Sequence, residues 1–397
     1  MPSTNPALIG KTNQRLNQLG PNEILAFDTE VSSIEGIIKL TLGEPDFCVP
    51  KELKEAAKAS IDADESHYSP VTGTLQLRQA IASFLKDLYK LNYDPQTEIC
   101  VTVGATEGIF VSLEALLNPG DKVLIPTPGF PLYESDTLIL GGQAISINTS
   151  QDGFILKPER LQQCLDEHPD AKVLVLNYPG NPTGVSYSRE ELKALADVLA
   201  DKAITVIADE IYSELSYDTE HCSIAEFIPG QCLILNGASK SHAMTGYRIG
   251  FIAGPKELMQ KIILCHAYAV TTCANPSMAA AAHAFASPEG RSCTQVMKAA
   301  YLERRDYLCA ELEKLGFEFA KPSGAFYLFV KIPKALNQDD VAFAKELAYE
   351  AKLACIAGSH FGPGGEGYLR LSYATSMDKL QAAVAQLKAY LERKGLI

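Results

Sequence analysis

Residues 171–212 read AKVLVLNYPGNPTGVSYSREELKALADVLADKAITVIADEIY. Val173 to Leu176 and Ile204 to Ala208 are short, unalternating apolar runs, the pattern of strands covered on both faces. Between them, Ser188 followed three residues later by Glu191 is a capping box, and Leu192, Leu195, Ala196 and Leu199 fall on one helical face. Strand, capped helix and strand make a βαβ unit. This predicts α/β architecture: a large domain with a mostly parallel sheet sandwiched by helices.

Outward from this unit, Val123 to Ile125 and Leu233 to Leu235 repeat the strand signature, and Val101 to Val103 adds another. The C-terminal third reads differently. Ala325 to Val330 and Tyr368 to Ser372 are expected strands, separated by a helix over Gln338 to Ala351. A last helix runs from Asp378, with Leu380, Val384, Leu387 and Leu391 at helical spacing. The expected layout is an N-terminal arm with part of the small domain over 1–49, a large domain over 50–290, and a small α+β domain over 291–397.

The 397 residues carry 35 Lys plus Arg against 48 Asp plus Glu, a net charge of −13. That balance argues against a general nucleic-acid binder, which needs a basic face. No apolar run approaches the roughly 20 residues that span a bilayer, and the polar stretch Met1 to Leu19 lacks a signal-peptide core. Ten cysteines without a C-x-x-C pair predict free thiols in a reducing compartment, hence a cytoplasmic protein and no zinc site.

In open α/β sheets, ligands sit beyond the carboxyl ends of the strands, so the loops there hold the candidate chemistry. After Val103, the turn Gly104-Ala105-Thr106 opens an apolar helical stretch, and free N–H groups with the Thr106 hydroxyl suit a phosphate. An ordinary capped turn has the same sequence. After Leu176, Asn177 to Gly184 holds two prolines and two glycines in eight residues, a rigid loop that projects the Asn181 amide. Asp209 and Tyr212 follow the third strand, although an Asp there is commonly a helix cap. After Leu235, Asn236 to Gly250 places Lys240 and Arg248 eight residues apart. An anion seat, a carboxylate, a phenol, an amide, a lysine and an arginine in one cleft match the groups of pyridoxal 5′-phosphate.

These strings, with Gly43 to Phe47, Tyr68 to Gly73 and Tyr368 to Tyr373, resemble the fold-type I, class I/II pyridoxal-phosphate aminotransferases over nearly the whole chain. The resemblance implies that Lys240 forms the Schiff base and moves the proton between substrate Cα and cofactor. It implies that Asp209 pairs with the pyridine nitrogen, and that Tyr212 and Asn181 donate to the phenolic oxygen. Arg248, Ser239, Gly104, Ala105 and Thr106 would hold the phosphate, joined by Tyr68 across a homodimer interface, and Phe130 would stack on the ring. Arg370 would grip the substrate carboxylate in two bonds, with Gly43 and Asn181 completing the substrate-binding set. No metal is implied.

Two departures stand out. Gly237 occupies a position where many members of that family carry a phosphate-binding serine, and Thr106 stands where some aspartate-using bacterial members carry a lysine. The glycine string Gly362 to Gly367 precedes a strand and reads as a turn, not a nucleotide loop. His67 and His242, beside the cleft motifs, read as local hydrogen-bonding groups, and Phe326 to Val330 as a core strand.

The expected reaction is transamination between an amino acid and a 2-oxo acid such as 2-oxoglutarate. The strings at 104–107, 126–133 and 236–244 look most like the bacterial aromatic amino acid branch. N-acetyl-diaminopimelate or aspartate transamination is the nearest alternative, and a pyridoxal-phosphate carbon–sulfur β-lyase is another. A regulator built on an aminotransferase-like domain ranks far below, because only about 40 polar residues precede Gly43 and no basic extension is among them.

Overall fold

In the computed structural model, which describes residues 2–397, the apolar runs become strands of a seven-stranded sheet. Met1, the first residue of the expected N-terminal arm, lies outside the described residues. The strands β1 (Ile99–Val103), β2 (Lys122–Thr127), β3 (Gln143–Asn148), β4 (Ala171–Asn177), β5 (Thr205–Asp209), β6 (Cys232–Gly237) and β7 (Ile249–Ala253) lie in the order β1-β7-β6-β5-β4-β2-β3. Only β7 runs antiparallel to its neighbours. The runs are apolar at every position because successive side chains enter different cores: Val173 and Val175 one, Leu174 and Leu176 the other. The capping box at Ser188 forms, and the helix Arg189–Leu199 buries the four residues its spacing selects.

The sequence pattern does not mark β3 or β7. β3 is an edge strand with most of its side chains partly or fully exposed, and β7 contains Gly250, which weakens a strand signal.

A second, smaller sheet is antiparallel. It contains β8 (Glu318–Phe319), β9 (Tyr327–Lys331), β10 (Ile356–Ala357) and β11 (Tyr368–Ser372) in the order β10-β11-β9-β8. Its core also takes in Ile24, Phe27, Val31 and Leu40 from the N-terminal segment. Three boundaries differ from the sequence reading. β9 starts at Tyr327 rather than Ala325, because Ala325 has a left-handed backbone (φ 55°) that no strand accommodates. The helix expected from Gln338 starts at Asp340, where Asp339 caps it by accepting from the Ala342 N–H at 3.0 Å, and its last turn, Leu347–Ala351, is a π-turn. The final helix begins at Met377 behind the Ser376 cap. The glycine string at 362–367 is a series of turns ahead of β11.

The strand directions bring one edge together. Asn177, Asp209 and Gly237 are the last residues of three parallel neighbours. β1 is parallel to them through two antiparallel steps, so Gly104 emerges at the same edge, and Arg248 enters β7 there. Among the described residues, no helix is long and apolar enough to cross a membrane.

Candidate active site

Asp209 is buried at the end of β5 without a cationic hydrogen-bond partner. Its Oδ2 accepts from the Tyr133 hydroxyl at 2.7 Å and its Oδ1 from the Ile211 N–H at 3.2 Å. Burial pushes its carboxyl up to about 6, although both hydrogen bonds and the nearby Lys240 favour the anion. A carboxylate so placed would be relieved by a cation brought into the cleft. A protonated ring nitrogen is such a group.

Lys240 stands three residues past the end of β6 and donates from Nζ to the Gly43 carbonyl at 2.6 Å. Its ammonium lies 5.9 Å from the ring centroids of both Tyr212 and Phe326. Burial lowers its pKa to about 8, and the positive charges of Arg248 and Arg370 add to the effect against Glu44 and Asp209. The Tyr212 hydroxyl shares a 2.8 Å hydrogen bond with that of Tyr327. Gly43 has to be glycine here, since a Cβ would coincide with the Tyr327 hydroxyl.

The turn after β1 is equally crowded. Gly104 has φ +72°, and a Cβ on it would overlap the Arg248 guanidinium, which donates from Nη1 to the Thr245 carbonyl at 3.0 Å. Thr106 and the buried Ser239 flank the same space. The missing serine at 237 also has a reason in the backbone. A Cβ there would lie 2.6 Å from the Ile249 carbonyl oxygen and 2.8 Å from Gly250 Cα, because Gly237 and Gly250 are paired in adjacent strands.

Arg370, in the middle of β11, is buried between the rings of Tyr327 and Phe361, at 4.7 and 4.9 Å. Nη1 donates to Asn181 Oδ1 at 3.0 Å, Nη2 to the Thr41 carbonyl, and the buried Nε has no partner. Burial lowers the guanidinium pKa, and neither hydrogen-bond partner is a carboxylate. Such a cation is a receptor for an anion. With Oδ1 engaged, Asn181 keeps its Nδ2 donor for a ligand, and its own N–H is tied to Asn177 Oδ1 at 2.9 Å.

One cavity of about 320 Å³ is lined by Gly43, Ala105, Thr106, Phe130, Asn181, Asp209, Tyr212, Ser239, Lys240, Arg248 and Arg370, with Gly104 directly against Arg248. Tyr68 is not among them. It is 88% exposed and lines a separate groove with His67 and Asn275, so nothing within this chain brings it to the cleft. Sequence reasoning missed the roles of Tyr133 and Tyr327 as hydroxyl partners of Asp209 and Tyr212. Tyr133 lies three residues after Phe130, a signal that was readable, whereas Tyr327 was hidden inside an apolar strand. Asn22, Ile24 and Leu25 of the N-terminal segment also reach the cavity. The donor set fits pyridoxal 5′-phosphate: a buried carboxylate without a cationic hydrogen-bond partner, an amine of lowered pKa, a glycine turn under an arginine, and a second arginine with no carboxylate among its hydrogen-bond partners.

The family model described as aminotransferase class I and II matches residues 35–387. A probable N-acetyl-LL-diaminopimelate aminotransferase of Bacillus subtilis is 39% identical over 382 residues, covering 96% of each chain. The aromatic-amino-acid aminotransferase 2 of Thermococcus litoralis is 34% identical, covering 97% of this chain and 99% of its own. Among solved structures, the Thermus thermophilus aspartate aminotransferase with maleate is 33% identical and superposes with a TM-score of 0.90, covering 95% of this chain and 98% of its own. With the match running from the N-terminal segment to the last helix, the chain belongs to the class I and II aminotransferases, transferases that depend on pyridoxal 5′-phosphate.

Proposed function

We propose that the preferred amino donor is an aromatic amino acid and the acceptor a 2-oxo acid such as 2-oxoglutarate. The observation that carries this is the makeup of the cavity wall. Ile24, Leu25, Leu42, Ile109, Phe130 and Tyr133 line it, and among the described residues its only cations are Lys240, Arg248 and Arg370. All three have other work, so the wall built by this chain leaves no cation for a second carboxylate on the donor. An aromatic side chain beside Phe130 and Tyr133 gains about 0.5–1.5 kcal/mol beyond its area burial. The names of the relatives support both this reading and its rival, since aromatic, aspartate and N-acetyl-diaminopimelate enzymes all occur among them.

Each residue then has a task. Bound pyridoxal phosphate supplies an aldehyde that accepts the amino group and a conjugated ring that withdraws electrons from the substrate Cα. Lys240 holds the cofactor covalently and carries the proton taken from Cα. Asp209, oriented by Tyr133, keeps the ring nitrogen protonated, and Tyr212 and Asn181 donate to the ring oxygen. Arg248, Ser239 and the N–H groups at Gly104 to Thr106 bind the phosphate. Arg370 orients the substrate by its α-carboxylate, and Gly43 offers the closing backbone carbonyl to Lys240.

The test is kcat/KM for phenylalanine, tyrosine, leucine, aspartate and N-acetyl-diaminopimelate with 2-oxoglutarate. Phenylalanine or tyrosine should lead, and leucine should also react, since one methylene in an apolar pocket discriminates only about 10–200-fold. A lead of tenfold or more for either dicarboxylic donor would overturn the aromatic assignment.

The amine of Lys240 also sets a pH dependence. A pKa lowered to about 8 leaves it neutral, and so nucleophilic, above that pH. Capture of pyridoxal phosphate by cofactor-free protein should rise with pH and level off around a midpoint near 8. A rate still climbing at pH 10 would show an amine unaffected by its surroundings.

The assembly proposed is an isologous homodimer in the cytoplasm. Tyr68 is of use to a phosphate only from a second subunit, and the exposure of Tyr68 and Tyr268, 88% and 87%, supports a surface that a second copy covers. Ten free cysteines support the reducing compartment. Sedimentation at assay concentration should show a dimer, and Tyr68→Phe should release cofactor faster. A fully active monomer would refute the assembly.

A further inference from the structure

A buried pair stands behind the helix Gly104–Leu116. His266, on the helix Lys256–Ala269, has no exposed side-chain surface, and its Nδ1 lies 2.8 Å from Glu107 Oε1. Its Nε2 lies 3.0 Å from the carbonyl oxygen of Val71. One buried ring therefore bridges the helix Gly104–Leu116 and the backbone at Val71. The other oxygen of Glu107 accepts from the Val103 N–H at 2.7 Å, the backbone group just ahead of the Gly104 turn.

We infer that His266 is a positioning residue that ties the phosphate turn, through Glu107 and Val103, to the Tyr68–Gly73 segment at Val71. In the proposed function these are the two places that hold a phosphate, one for the subunit's own cavity and one for its partner's, and the inference rests on that reading. One buried ring then joins both.

The experiment measures cofactor release from parental and variant holoenzyme. Cofactor should leave folded H266Q and E107Q about tenfold faster, the scale of one hydrogen bond, with KM for the amino acid unchanged. Where H266Q does not fold, E107Q carries the test. H221Q changes the buried histidine that faces Glu210, outside this link, and should retain cofactor as the parent does. Equal loss from H221Q would show a general effect of removing a buried histidine and overturn the inference. R248A is the reference. Loss of cofactor from R248A with parental retention in H266Q and E107Q would defeat the inference alone. Parental retention in R248A would defeat the phosphate reading and the inference with it.

Discussion

Lys240→Ala should lower kcat for amino-group transfer by about 10⁴-fold or more, because one substitution removes both the nucleophile and the proton carrier. The cavity offers no replacement amine: its other cations are the guanidinium groups of Arg248 and Arg370. The variant should still hold pyridoxal phosphate through the Gly104 turn and Arg248, but without a covalent link. Borohydride treatment should therefore fix the cofactor to the Lys240 peptide of the parent and to nothing in the variant. Ordinary turnover in Lys240→Ala would remove the assignment.

The second large effect separates the two arginines. Arg370→Ala leaves the substrate carboxylate unpaired in a buried site, a cost of about 2–5 kcal/mol, which lowers kcat/KM about 30-fold at least. Cofactor retention should change little, since Arg370 lies with Asn181 and Thr41, away from the Gly104 turn. Arg248→Ala should act in the opposite sense and release cofactor first. Equilibrium dialysis of the cofactor and steady-state kinetics on the same preparations read both quantities. Equal effects of the two substitutions on both would contradict the division of roles.

Why the fold was so readable lies in the doubly covered strands. A strand such as β4 must be apolar at every position, and the capped helix after it fixes the crossover, so both are local signals. β3 and β7 escaped because an edge strand is half polar and a glycine-bearing strand loses its signature. In the cleft, what came through was whatever the chain concentrates at strand ends: Asp209, Lys240, Arg248 and the rigid loop to Asn181. Hydroxyl partners such as Tyr133 and Tyr327 are set by tertiary packing across more than 70 residues, and residue type alone does not announce them. The reach of Asn22 to Leu25 into the cavity is likewise a property of the packed N-terminal segment. Gly237 is the instructive case. Its significance as a lost hydroxyl was visible in the sequence, while the reason, a strand pair too close for any side chain, exists only in the sheet.

The most direct measurement is a half-reaction without acceptor. Purified enzyme loaded with pyridoxal phosphate is mixed with excess phenylalanine, and phenylpyruvate and ammonia are quantified. The account predicts one equivalent of phenylpyruvate per subunit, no ammonia, and turnover resuming when 2-oxoglutarate is added. Repeated release of ammonia without an acceptor, or no phenylpyruvate while aspartate gives a full equivalent of oxaloacetate, would contradict it.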